Sequence, residues 1–157
     1  MANDLESIGE AKKNRFVEHI IGDDEITLLT LKGHLLVEEE LDEIIRNKCR
    51  SPEHLGKVGF PFYAKARLAR ALVGGDAPVW GCIDALNSLR NELAHKLQSQ
   101  KLQGKLRNFI DLVAMADPDR EQGDTDEYNL GLSIVYVHAS IARIGANVRI
   151  GTTSRGA

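Results

Sequence analysis

Cysteine, proline and aromatic residues are scarce in this chain, and each shortage removes a class of protein. The two cysteines, Cys49 and Cys82, are isolated, with no second thiol at CxxC spacing. That argues against a zinc knuckle or a redox dithiol and suits a reducing cytoplasm. No apolar run approaches the roughly 20 residues a spanning helix requires, and the first residues lack the basic-then-apolar pattern of a secretory signal. A soluble, cytoplasmic protein with no membrane partner is expected. Aromatic residues make up 5% of the chain, so few rings are at hand to stack on bases.

What is present points to one domain. A chain of 157 residues can bury a core without disulfides or a structural metal. The domain is expected over residues 1–150, with 151–157 as a mobile tail that has nothing to bury. The net charge of −3 argues against a general nucleic-acid binder, but the charge is uneven. From Phe60 to Ile110 there are eight basic residues and three acidic ones, a local +5 that leaves −8 for the remainder.

Apolar residues recur at helical rather than strand spacing, which predicts an all-α, single-domain bundle of five to six helices. A first helix is expected from Asp4 to Ile21. A long, central second helix begins at Asp23 or Asp24, either of which can cap its first turn. Its apolar positions Ile26, Leu28, Leu29, Leu31, Leu35, Leu36, Leu41, Ile44 and Ile45 cover more than one narrow face, and Gly33 inside it is a costly residue that marks close helix packing. After Cys49, residues 50–56 read as a loop with one helical turn. Further helices are expected from Tyr63 to Val73, stopped by Gly74-Gly75-Asp76; from Pro78 to Leu97; and from Gln100 to Met115. The last starts near Thr125 and ends near Asn147, with Trp80 as a packing anchor for the helix that Pro78 opens.

The most informative stretch is Leu89-Arg90-Asn91-Glu92-Leu93-Ala94-His95. It places an arginine, an asparagine and a histidine where they can bind a phosphate, polarise a hydroxyl and move a proton, the needs of a metal-free ribonuclease. At about 100° per residue, Ile83, Leu86, Leu89, Leu93 and Leu97 form an apolar stripe. Asp84, Asn87, Asn91 and His95 run along a polar face, with Asn91 and His95 at the i, i+4 spacing that brings side chains together. Arg90 points to the stripe's edge, about 140° around the helix from His95, so a site shared across a two-fold axis would bring both to one place.

These residues resemble the HEPN superfamily of small helical bundles, whose mark is Arg-x₄₋₆-His with a polar residue after the arginine. The string LNSLRNELAHKL, following a long apolar helix containing LLVEEELDEII, carries the likeness. The segment FYAKARLARAL before it looks like the small bacterial branch that includes the mannitol operon repressor, and the resemblance spans roughly residues 25 to 115. It implies a homodimeric, metal-independent endoribonuclease that needs no cofactor, acting as a toxin or defence component with an antitoxin partner. His95 would act as general base or acid, Arg90 would hold the scissile phosphate and Asn91 would orient either, giving a 2′,3′-cyclic phosphate. Lys65, Arg67, Lys96 and Lys101 would contact RNA. The alternative implied by the repressor branch is a non-catalytic regulatory or dimerisation module, although no helix-turn-helix with a basic recognition helix is evident.

Each residue also has a plainer role open to it. Arg90 can pair with Glu38, Glu39 or Glu40 on the long helix and pin the bundle. His95 can cap carbonyls at its helix end, and Asn91 can be an inconsequential surface residue. Lys65 and Arg67 can simply solubilise their helix. The His34/Glu38 pair lacks a third metal ligand at useful spacing, and His138 reads as a hydrogen-bonded core or interface histidine.

Overall fold

Glu25 opens the central helix, α1, which runs Glu25–Lys48 and ends on Arg46 and Lys48, cations suited to the carbonyl end. The computed structural model describes residues 25–56, 59–95 and 100–153. The helix expected over Asp4–Ile21, the candidate caps Asp23 and Asp24, Lys96 and the last stripe residue Leu97 lie outside these residues. After α1 comes a single 3-10 turn at Pro52–Leu55, then α2 (Phe62–Val73), α3 (Val79–His95), α4 (Gln100–Ala116) and α5 (Asp126–Thr153). The described residues thus form an all-α bundle of five helices with no strand. No helix among them is long and apolar enough to cross a membrane.

The breaks fall where local chemistry requires them. Pro61, in extended conformation, precedes α2, and the N–H of Gly74 donates to Arg70 O at 2.8 Å to close it. Gly74 and Gly75 have φ of 72° and 98°, a region costly for residues with a Cβ. At α5, the Tyr128 N–H donates to Thr125 Oγ1 at 3.2 Å, capping a first turn that carries Asp126 and Glu127. That helix continues to Thr153, past the expected end near Asn147 and into the segment read as tail. Gly151 slows a helix without removing its hydrogen bonds, unlike proline.

Side-chain pairs set the helix directions. Gly33 meets Ile134, Glu40 meets His138 and Ile44 meets Gly145, so α1 and α5 run parallel in close register. This is also the most extensive helix contact. Phe62 stacks on His34 and Lys65 reaches Glu38 and Asp42, so α2 runs the same way as α1. Trp80 shares a cleft with Lys48 and Val73 while Asn87 reaches His34, so α3 runs in the opposite sense. The C-terminal end of α3, with Asn91 and His95, therefore lies beside the N-terminal part of α1.

The core between these helices is aliphatic. Val37, Leu41, Ile44, Ile83, Leu86, Leu89, Leu106, Phe109, Val113, Leu130 and Ile141 are sealed from solvent, and Trp80 is buried at its edge. Not every apolar residue of α1 joins it. Leu31, Leu35 and Leu36 are exposed, with Leu35 at 59%, because three neighbouring helices already occupy the sector centred on Val37 and Leu41. The helix is central, as expected, but its apolar residues do not all face the core.

Candidate functional site at the end of α3

The buried stripe of α3 comprises Ile83, Leu86, Leu89 and Leu93, as its spacing requires. Opposite it, Asn91 and His95 are exposed, and Arg90 at the stripe's edge is half-buried. The helix thus holds the three residues by packing its other side, and their positions follow from the stripe alone.

Glu38 and Glu40 of α1 already have partners. Lys65 Nζ lies 2.9 Å from Glu38 Oε1 and 2.8 Å from Asp42 Oδ2. Burial works against the Lys65 charge, but its hydrogen bonds to Asp42 and Glu38 prevail and raise its pKa above the ordinary lysine value. Glu40 sits 3.4 Å from His138 Nε2 on α5. Arg90 forms no ion pair among the described residues, so the pairing with Glu38, Glu39 or Glu40 that was open to it does not occur there. Its guanidinium donates from Nη1 to Asn91 Oδ1 at 3.4 Å, a long bond to the adjacent residue.

Between α1, α2 and α3 lies a residue whose placement sequence reasoning missed. His34 is 7% exposed, its ring stacked on Phe62 at 3.9 Å between centroids, and Nε2 donates to Asn87 Oδ1 at 3.2 Å. Burial pushes the pKa of His34 down and the Arg90 charge adds to this, against the opposing influence of the Asn87 bond and Glu38. Burial and the Arg90 charge thus both disfavour protonation of this imidazole. Asn87 was expected on the open polar face with Asn91; instead it turns to α1. The signal in the sequence was His34 at i, i+3 and i, i+7 to the buried residues Val37 and Leu41, a polar side chain on the core side of α1 that needs a partner.

The remaining predicted residues disperse. Lys65 is engaged by two carboxylates, while Arg67 lies over the Tyr63 ring at 5.2 Å and 3.9 Å from Asp84. Lys101 is exposed on the first turn of α4. A cleft of about 670 Å³ between α1, the 3-10 turn and α2 is lined by Asp42, Ile45, Arg46, Leu55, Phe60 and Lys65 among others, and includes neither Arg90 nor His95.

Comparison with protein-family models, with curated proteins and with solved structures finds no match.

Proposed function

We propose that this chain is a metal-independent endoribonuclease of the HEPN type, acting as a homodimer with Arg90, Asn91 and His95 at its centre. The observation that carries the proposal is an arginine with no carboxylate partner among the described residues, beside acids that are occupied elsewhere. A guanidinium can hold a phosphodiester, which its forked donors fit. Asn91, in contact with Arg90 and four residues from His95, links the phosphate-binding side of the helix to the imidazole. His95 would take the proton of a ribose 2′-hydroxyl or return one to the leaving 5′-oxygen, and Arg90 would offset the charge that develops on phosphorus-bound oxygen. Arg90 and His95 diverge around one helix, so a second protomer would complete the site.

The test is RNA cleavage in EDTA by the wild type, Arg90→Ala and His95→Ala. Cleavage by the wild type that leaves 2′,3′-cyclic phosphate ends and falls at least a hundredfold in either variant is expected. Failure of the wild type to cleave a varied RNA set would remove the catalytic assignment. The second reading is a non-catalytic regulatory or dimerisation module, like that of the mannitol operon repressor branch. The exposed leucines Leu31, Leu35 and Leu36 on α1 favour it, because clustered exposed aliphatic side chains mark protein contacts. Under that reading, polar substitution of Leu35 would change the oligomeric state while no RNA is cut.

A further inference from the structure

Tyr63 is the first exposed residue of α2 and lies 57% accessible with a guanidinium already against its ring. The other exposed tyrosine, Tyr128, is tied into a loop: its ring crosses Gly123, and its hydroxyl is bonded to Glu121. Among the described residues Tyr63 has no such tie to a loop; its ring meets only the Arg67 guanidinium in an aromatic or cation contact. Its position is fixed from both sides. The preceding Phe62 is buried on His34, which is bonded to Asn87 of α3, and Arg67 one turn later lies 3.9 Å from Asp84 of α3. Asp84, Asn87 and Asn91 follow one another at i, i+3 and i+7, so Tyr63 stands where α2 meets the face of α3 that leads to Asn91. Asp84 and Asn91 are about 10 Å apart along the axis, a distance that a short piece of extended single strand covers.

We propose that Tyr63, with Arg67 against its ring, is a stacking platform for a nucleobase of the RNA whose phosphate Arg90 holds. The proposal rests on the ribonucleolytic reading above and adds a binding residue to it. Single-stranded RNA is gripped by exposed rings and by arginine planes, because every base has a π-face whatever its hydrogen-bonding edge. The platform therefore predicts affinity without strong sequence preference. Arg67 and Asp84 are each about half exposed, and a pair of that kind is too weak to draw Arg67 away from the Tyr63 ring.

The experiment measures binding of the full chain to a fluorescently labelled, 2′-O-methylated single strand of mixed sequence, which cannot be cut. An otherwise identical strand with abasic positions is the comparison. For Tyr63→Ala the expected result is a Kd about tenfold weaker on the mixed strand, within what one stacked base contributes, and unchanged on the abasic strand. Tyr63→Phe, which keeps the ring, should bind as the wild type does. If Arg90→Ala weakens binding while Tyr63→Ala matches the wild type on both strands, the platform is overturned and the phosphate site stands. If the wild type binds neither strand, the ribonucleolytic reading fails and takes the platform with it. A ring that served only to stabilise α2 would lower Tm in Tyr63→Ala without separating the two strands.

Discussion

Replacing Gly33 by alanine sets two effects of similar size against each other, and the structure decides the sign. Alanine in a helix interior is favoured over glycine by roughly 1 kcal/mol. A Cβ built at position 33, however, would meet Ile134 Cγ2, Cδ1 and Cγ1 at 2.7, 2.8 and 2.8 Å. Two of these three carbons are bonded directly to the Ile134 Cβ, so no rotation of the side-chain tip relieves the contact, and α1 and α5 must separate. Overpacking of this kind costs roughly 1–3 kcal/mol, which leaves a net loss of roughly 1 kcal/mol and a Tm lower by about 2–4 °C for a chain of this size. The control is a double-mutant cycle read by thermal or urea unfolding. Ile134→Ala alone should cost roughly 2–4 kcal/mol. In the Gly33→Ala background it should cost at least about 1 kcal/mol less, because the new methyl occupies part of the space it vacates. A raised Tm in Gly33→Ala, or strict additivity with Ile134→Ala, would refute the account of close helix packing.

Three further outcomes follow from individual side chains. The folded-state pKa of His34 is depressed below the unfolded value of 6.5, so its contribution to stability is complete above 6.5 and declines as pH falls from there through the folded value. Urea midpoints measured across that window should show a slope that His34→Gln flattens, and an unchanged slope in the variant would contradict a neutral, buried imidazole. Lys65→Met should destabilise by roughly 1–2 kcal/mol, since it leaves Glu38 and Asp42 facing each other one helical turn apart without their cation. The wild-type contribution is present below 10.5 and is lost as pH rises through the raised Lys65 value, so the variant and wild type should converge in strong alkali. Cys82 is 1% exposed and its thiol is pushed up to about 11 by burial. A thiol reagent should therefore modify half-buried Cys49 in the native protein and Cys82 only on unfolding, and equal rates at both would argue against the packing of α3.

The helices were readable before any coordinates because each carries its own evidence. The stripe Ile83, Leu86, Leu89, Leu93 has one period, Pro78 and Gly74 stand at ends, and Thr125 caps a first turn. Such signals act within a few residues and survive without tertiary context. The same logic exposed Asn91 and His95 opposite the stripe, and it marked Gly33 as a packing position, because an interior glycine costs helix stability that only a close neighbour can offset. The leucines Leu31, Leu35 and Leu36 resisted this treatment. Hydrophobicity alone cannot say which side of a long helix its neighbours will cover.

What the sequence determined by itself was an all-α bundle and a short helical string bearing Arg90, Asn91 and His95 on known faces. What only the tertiary structure decided was the state of those groups. Glu38 and Glu40, both within reach of Arg90 on a sequence reading, face Lys65 and His138 once α2 and α5 are laid parallel to α1. His34 acquires Asn87 and Phe62 from segments distant in the chain. Partners of a charge are chosen by which helices become neighbours and in which direction they run, and these are set by the burial of the whole apolar core rather than by any local spacing.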